Sequence, residues 1–254
     1  MRYFIEIAYK GTHFNGIASQ TVGDVRTVQQ TLEQALHTIL KEDIATTTSS
    51  RTDAGVHASQ NYLHFDTEQV ITAKHVYQLN AILPNDMFVA NVHQVNADAH
   101  SRFDALYRRY EYTITQRKNP FLEDTAWLYP FAIDIELLHQ CASILASHTD
   151  FATFCKKHTD TYTTQCTIQA STWQYNSATQ TLVYTVQANR FLRGMVRALV
   201  ATMLEVARGK ISIAEFESII SSGDNTKANF SAVAKGLCLV EVAYGDNINA
   251  KLIS

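Results

Sequence analysis

The hydrophobic pattern of the first hundred residues constrains the fold more than any other feature of the chain. Side chains alternate between two faces in residues 2–9, 60–65 and 87–95, and a β-prone segment occupies residues 41–48, so four strands are predicted. Apolar residues at helical spacing between Val28 and Ile39 predict a helix, which Asp24 can cap. Another helix is predicted from about 72 to 83, where Pro84 ends it. The order β-α-β-β-α-β predicts a ferredoxin-like α+β unit.

The rest of the chain approximates the same order of elements. Helices are predicted at about 133–147 and 213–222, and strands at about 165–175, 181–188 and 236–244. Two related α+β subdomains are therefore expected, comprising residues 1–100 and residues 101–254.

A further helix is predicted in the segment NRFLRGMVR, which begins at Asn189. Asn189 can cap this helix, and an apolar stripe starts at Leu192. A different, shared face holds three arginines: Arg190, Arg193 and Arg197. A solvated basic face is the ordinary meaning of such a pattern. An arginine fixed on a helix can also bind a carboxylate through two donors of its planar guanidinium.

The segment SSRTDAGVHA, residues 49–58, holds one acidic side chain, Asp53, between two predicted strands. Gly55 can adopt backbone angles that other residues avoid, which predicts a turn. Beside the cation of Arg51, the Asp53 carboxyl is expected to have a lowered pKa and stay ionised, as a carboxylate nucleophile requires. Two other interpretations stay open. One is a plain turn that Asp53 caps, and the other is a metal site shared with His57, which the intervening glycine disfavours.

The strand predicted to end near residue 112 places Arg108, Tyr110 and Tyr112 on one face, because alternate strand residues point the same way. The ordinary meaning is an amphipathic strand with two buried tyrosines. The functional alternative makes Tyr110 an aromatic platform that stacks on a planar ligand and offers a phenol oxygen.

Charge is distributed unevenly along the chain, whose net charge is −3. Residues 1–100 carry 6 basic and 10 acidic side chains, whereas residues 101–210 carry 12 and 9. A surface that binds a polyanion is therefore expected to come mainly from the middle segment. Its candidate residues are Arg102, Arg108, Arg190 and Arg193.

The sequence predicts a cytoplasmic protein. Met1 leads directly into an alternating strand, and arginines interrupt the most apolar helix, residues 191–207. Four cysteines without regular spacing are expected to be reduced thiols.

Several segments resemble the motifs of one family, the TruA family of tRNA pseudouridine synthases. SSRTDAGVHA is similar to that family's GRTDAGVHA, with Ser50 in place of glycine. DAHSRFDALYRRYEY at residues 98–112 is similar to FHARFDAxxRxYxY, and FLRGMVR at residues 191–197 is similar to FLxxMVR. LNAILP at residues 79–84 is close to LNxLLP. One segment departs, because residues 9–18 read YKGTHFNGIA where the family has YDGTxFxGWQ.

The resemblance implies two ferredoxin-like subdomains that form a continuous, mainly antiparallel eight-stranded sheet, with helices packed on it and a central cleft. It also implies a homodimer that converts uridine to pseudouridine in the anticodon stem-loop of tRNA, without a cofactor or a required metal. Asp53 matches the family's nucleophile, Arg197 the arginine that pairs with it, and Tyr110 the aromatic platform. The residues expected to bind the RNA are Arg51, His57, Arg102, Arg108, Tyr110, Arg190 and Arg193.

Two alternatives belong to other functional classes. The altered segment at residues 9–18 motivates a tRNA-binding paralogue without activity, which is disfavoured because Asp53, Tyr110 and Arg197 are all present. A hydrolase of glycosidic bonds would ordinarily need a second acidic group beside Asp53, and none stands out in the motif.

Overall fold

The computed structural model describes residues 1–20, 25–157 and 162–253. They form two compact units, the first made of Met1–Leu106 and Leu239–Ser254 and the second of Tyr107–Cys238. The end of the chain therefore belongs to the first unit, whereas the sequence pattern assigned it to the second subdomain.

The described residues contain five α-helices and ten strands, of which three are only two residues long. In chain order the elements are β1 (Arg2–Tyr9), α1 (Val28–Leu40), β2 (Thr47–Thr48), β3 (His57–Asp66), α2 (Ala73–Ile82), β4 (Met87–Val95), β5 (Ala105–Thr115), β6 (Trp127–Leu128), α3 (Ile135–Leu145), β7 (Ile168–Asn176), β8 (Thr181–Ala188), α4 (Met195–Ala207), α5 (Ile213–Ser221), β9 (Leu237–Tyr244) and β10 (Lys251–Leu252). The α+β class and the mainly antiparallel pairing are confirmed. The described chain has ten strands and not the predicted eight. The two additional strands, β6 and β10, are two residues long, which is too short to show an alternating pattern.

The first unit has the strand order β10-β4-β1-β3-β9, with β2 also paired to β3. β1 pairs with β3 and with β4 in antiparallel register, and β2 and β10 are antiparallel to their partners. The order β4-β1-β3-β2 matches the predicted ferredoxin-like unit. Residues 10–17 follow β1 and are called the first loop below. They pass the beginning of β3, where the Gly11 N–H donates to His57.

Both faces of the first sheet are covered by apolar side chains. Tyr3, Ile5 and Ile7 are fully buried, as the alternation of β1 predicts. On the opposite face Phe4 packs with Ile248, near the end of the chain. The chain's end therefore contributes part of the first unit's core.

Helix α1 begins at a threonine. The Thr27 side chain accepts a hydrogen bond from the Gln30 N–H, which satisfies a donor that the first turn leaves unpaired. Asp24, the predicted cap, lies outside the described residues.

The second unit has the strand order β5-β8-β7, with β6 parallel to β5. Helix α3 packs on β7 and on α4. Of the 13 residues in α4, 11 are buried, so the helix is a core element with little exposed surface.

The predicted start of α4 is wrong. The helix begins at Met195, because Gly194 before it has φ +76°, a left-handed conformation that interrupts the helical path. Arg190 and Arg193 therefore precede the helix, and the basic face that they were predicted to share with Arg197 does not exist. Asn189 accepts a hydrogen bond from the Thr167 N–H through its side chain instead of capping α4.

Candidate active site

Asp53 lies on a tight turn between β2 and β3. The Val56 N–H donates to the Asp53 carbonyl at 3.1 Å, and Gly55 within the turn has φ +76°. Glycine takes this left-handed conformation without steric cost, and the predicted glycine turn is confirmed. The turn leaves the Asp53 side chain half-buried and Arg51 exposed.

The first loop holds the backbone of this turn on both sides of Asp53. The Ile17 N–H donates to the Thr52 carbonyl, and the Gly55 N–H donates to the Phe14 carbonyl, each at 3.2 Å. The neighbours of Asp53 are thus fixed by a segment about 40 positions away in the sequence. That spacing is too long for local sequence patterns to reveal.

Two glycines allow the first loop to lie directly against the turn. A Cβ on Gly16, whose φ is +92°, would lie 2.9 Å from the Thr52 carbonyl oxygen. A Cβ on Gly11 would overlap the Val56 carbonyl oxygen. A side chain at either position would therefore push the loop and the turn apart.

A buried chain of hydrogen bonds fixes Thr52, the residue before Asp53. Asn61 Nδ2 donates to the Tyr9 hydroxyl at 3.3 Å and to the Ser50 carbonyl at 3.1 Å. The Tyr9 and Thr52 hydroxyl oxygens are 2.7 Å apart. Because the Tyr9 oxygen accepts from an amide, its own proton can be donated to Thr52.

His57 is the first residue of β3 and is only 6% exposed. Its Nδ1 accepts a hydrogen bond from the Gly11 N–H at 2.9 Å. An atom that accepts from a backbone N–H carries no proton, so the neutral imidazole has its proton on Nε2. The same bond prevents Nδ1 from binding a metal.

Strand β5 of the second unit carries Tyr110. Arg108, Tyr110 and Tyr112 are all buried, which confirms their predicted shared face. The Tyr110 ring meets the Phe191 ring edge-on, with ring centres 4.9 Å apart. Arg108 Nη1 donates to the Asn189 carbonyl at 3.0 Å.

Arg197 lies on the first turn of α4 and is half-buried. Its Nε donates to the Ala232 carbonyl at 2.7 Å, which orients the plane of the guanidinium. The Tyr112 hydroxyl donates to the neighbouring Val233 carbonyl at 2.7 Å. Burial raises the pKa of Tyr112, and the positive charge of Arg197 opposes that rise.

The other predicted arginines differ in exposure. Arg102 and Arg193 are exposed, and Arg190 is half-buried. The Arg102 guanidinium carbon lies 5.7 Å from the centre of the Phe103 ring. Phe103 is 74% exposed, and its ring centre lies 4.3 Å from that of His100.

Comparison with known proteins identifies the family. A family model described as tRNA pseudouridine synthase matches residues 6–104 and 144–245 of this chain. The chain belongs to this family. Its relatives include proteins named tRNA pseudouridine synthase A from Bacteroides thetaiotaomicron, with 42% identity over 97% of this chain and 92% of the relative, and from Porphyromonas gingivalis, with 39% identity over 97% and 98%. A Staphylococcus aureus protein of the same name is 34% identical over 97% of this chain and 92% of its own length.

Membership of the tRNA pseudouridine synthase family makes the chain an isomerase that converts uridine in tRNA to pseudouridine. Neither alternative class, the inactive paralogue or the glycosidic hydrolase, finds support in the relatives. Within the described residues, no helix has both the length and the apolar character needed to cross a membrane. No group of three or more metal-binding side chains occurs in that part of the chain either.

The site residues predicted from the pseudouridine synthase motifs fall into two sets, one in each unit. The first unit carries Arg51, Asp53, His57 and Arg102, and the second carries Arg108, Tyr110, Arg190, Arg193 and Arg197. The residues that support Asp53 were missed, namely Tyr9, Gly11, Gly16 and Asn61. Three of these four lie in the segment that departs from the family motif, and Gly11 and Gly16 are the two glycines which that segment retains.

A second polar group of the first unit also went unpredicted. Glu6 on β1 accepts hydrogen bonds from Gln60 and Asn91, each at 2.9 Å, and lies 3.9 Å from His93. His93 and these two amides lower the pKa of Glu6 to about 2, against the opposing effect of burial. The two amides are the direct partners of Glu6, because the 3.9 Å separation from His93 is too long for a hydrogen bond.

Proposed function

We propose that this chain modifies uridines in the anticodon stem-loop of tRNA and that Asp53 is its nucleophile. The observation that carries the proposal is the Asp53 turn, in which a half-buried carboxylate sits between two residues bonded to the first loop. A carboxylate at a fixed position can be aligned with a reacting carbon, and such alignment accounts for much of an enzyme's rate.

The reaction breaks the bond between N1 of uracil and C1′ of ribose and forms a bond between C5 and C1′. N1 gains a proton and C5 loses one, so the overall change is an isomerisation. The uridine must first leave its stack, which costs a few kcal/mol. Asp53 either attacks C1′ or removes a ribose proton, and both routes require the ionised carboxylate.

The second unit supplies the groups proposed to assist Asp53. Tyr110 would stack on the flipped uracil and offer its hydroxyl, with the edge-on Phe191 ring fixing its orientation. Arg197 would pair with Asp53 and keep it ionised. Its guanidinium plane is already set by the Ala232 carbonyl, so less side-chain freedom is lost when it binds a carboxylate.

The tRNA-binding surface is proposed to use the exposed arginines. Arg51, Arg102 and Arg193 are open to solvent, and Arg190 is half-buried in the same segment as Arg193. Guanidinium groups bind phosphate with two donors, which suits an RNA backbone. Arg108 is buried, and in this proposal it acts through the Asn189 carbonyl that it binds.

We also propose a homodimer in the cytoplasm, as the family resemblance implies. Light scattering after size-exclusion chromatography tests the dimer directly, because the chain's mass is 28.5 kDa. A mass near twice that value across a hundredfold dilution is the expected result, and a mass of one chain throughout would contradict it.

The decisive experiment measures tritium release from tRNA labelled at C5 of uridine. The synthase proposal predicts release together with pseudouridine in the RNA. Free uracil would point to a hydrolase, and binding without release would point to an inactive paralogue. Replacing the anticodon stem-loop uridines by cytidine should abolish release, and continued release would move the target to another part of the tRNA.

A further inference from the structure

We propose that His57 is a positioning residue for Asp53, a role that rests on Asp53 as the proposed nucleophile. His57 lies four residues after Asp53, at the point where the turn becomes β3. Its buried ring faces the first loop, and its Nδ1 accepts from the Gly11 N–H at 2.9 Å. The bond therefore joins the end of the Asp53 segment to the beginning of the first loop.

A closed path of hydrogen bonds runs from His57 back to the Asp53 turn. Gly11 donates to His57, and its own carbonyl accepts from the Phe14 N–H at 2.9 Å. The Phe14 carbonyl in turn accepts from the Gly55 N–H at 3.2 Å. Gly55 is two residues after Asp53 and two before His57, so the path fixes the turn relative to β3.

The His57 imidazole contributes to this path because its acceptor, Nδ1, binds the Gly11 N–H of the first loop. The first loop cannot move closer to β3, since Gly11 already lies against the Val56 carbonyl. It is held from moving away by the His57–Gly11 bond, together with the Gly55–Phe14 and Ile17–Thr52 bonds. Without the Nδ1 acceptor, the N-terminal part of the loop loses this bond to β3. The position of the Phe14 carbonyl, which binds the Gly55 N–H, then becomes less well defined.

Three substitutions separate positioning from contact with the tRNA. Asn places an amide oxygen close to the position of Nδ1, Gln places it about one bond farther out, and Leu has no acceptor. We expect His57→Leu and His57→Gln to lower the single-turnover rate at saturating tRNA on the order of 10²-fold, the cost of a misplacement of about 1 Å. His57→Asn should stay within about fivefold of the parent rate. The Kd for tRNA should change by less than about twofold in all three, because no phosphate contact is removed.

His64 provides a matched control in the same strand. It is buried to a similar degree, but its Nδ1 lies 2.8 Å from the Ser101 hydroxyl and not beside the first loop. His64→Leu should lower the melting temperature and leave the single-turnover rate of the folded protein within about threefold of the parent rate.

Each outcome decides the proposal. A weaker Kd with an unchanged rate at saturation would make His57 a substrate contact and overturn it. Equal rates for His57→Asn and His57→Gln, or equal rate losses in His57→Leu and His64→Leu after correction for the folded fraction, would overturn it as well. These outcomes differ from a failure of the proposed function itself, in which the parent protein would release no tritium from tRNA.

Discussion

At the residue scale, the charge of Asp53 matters more to the proposed reaction than its size. Asp53→Asn keeps the shape of the side chain but removes the nucleophile and a negative charge near the RNA. We expect turnover to be abolished while the Kd for tRNA stays within about threefold of the parent value. Tritium release and filter binding measure the two quantities.

A matched control for this substitution is Asp43→Asn. The Asp43 side chain is 99% exposed and lies outside the Asp53 turn. Its substitution should leave both turnover and binding unchanged. If Asp53→Asn retained a few per cent of parent turnover in a preparation free of host enzyme, Asp53 would not be the nucleophile.

Arg197 is proposed to act on Asp53 through its positive charge. Arg197→Met keeps the length and apolar stem of the side chain but leaves the carboxylate without its counter-charge, so the pKa of Asp53 should rise. The rate of the Met variant should then fall at a higher pH than the parent rate does, because protonated Asp53 cannot attack. Arg197→Lys restores the charge without the two-donor geometry and should have intermediate activity.

The measurement for Arg197 is the single-turnover rate at saturating tRNA as a function of pH, for all three proteins. A simple phosphate contact would weaken binding equally at every pH. An acidic limb that stays at the same pH in the Met variant would therefore rule out the proposed pairing.

At the scale of elements, the contact between the first loop and the Asp53 turn depends on Gly11. A Cβ there would overlap the Val56 carbonyl oxygen, so Gly11→Ala must displace one of the two segments. We expect a loss of about 1–3 kcal/mol of stability, typical of overpacking, and a larger fall in single-turnover rate than in tRNA affinity.

Gly209→Ala is the control for the Gly11 substitution. Among the described residues, no atom beyond the two adjoining residues lies within 4 Å of a Cβ built on Gly209, so alanine is strained there only by the positive φ of +68°. It should cost about 1 kcal/mol of stability without changing the rate of the folded protein. Equal rates for the two variants would show that the loop contact does not position the turn.

The sequence predicts most of the regular elements of this fold but not every boundary. Periodicity located β1, β3, β4, α1 and α3 because each element buries a regular set of its own side chains. It failed at the start of α4, where the conformation of Gly194 outweighs the helical pattern of residues 189–197.

The Asp53 turn was predictable because Gly55 is a local signal. Its support by Tyr9, Gly11 and Asn61 was not predictable, because those bonds join segments whose sequences carry no sign of each other. Local patterns identify an element, but the contacts that position it depend on the tertiary structure.

At the scale of the whole molecule, Glu6 couples folding stability to pH. The Glu6 pKa is about 2 in the folded chain against an ordinary value of 4.5. Its stabilising effect is therefore fully present above about pH 4.5 and is lost as the pH falls toward 2. Glu6→Gln should lower the free energy of unfolding at pH 7 by roughly 2 kcal/mol and flatten its dependence on pH below 4.5.

Urea unfolding of parent and variant between pH 3 and pH 7 tests this effect. Burial lowers the pKa of His64 to about 4, so the parent also loses stability between about pH 6.5 and 4. That loss is common to both proteins and cancels in their difference. Glu217→Gln, on the exposed side of α5, should follow the parent curve, and a Glu6→Gln curve parallel to the parent would contradict the prediction.

Because the net charge of the chain is −3, its affinity for tRNA must come from a local basic surface. Arg102→Gln and Arg193→Gln should each reduce the slope of log Kd against log salt concentration by about one unit, and together by about two. The control is Arg26→Gln, because Arg26 is already paired with Asp86 at 2.7 Å. If the double variant kept the parent slope and affinity, the basic surface would have to lie elsewhere.

The first unit is built from both ends of the chain, and this fixes the order in which a ribosome can complete the two units. Every residue of the second unit has been synthesised before Leu239 is added. Until then the edge of β3 that β9 will cover is open, and an open strand edge can pair with other chains. Synthesis of the first unit, which carries Asp53, therefore begins before that of the second unit and ends after it. The first unit stays prone to aggregation for as long as the second unit is being translated.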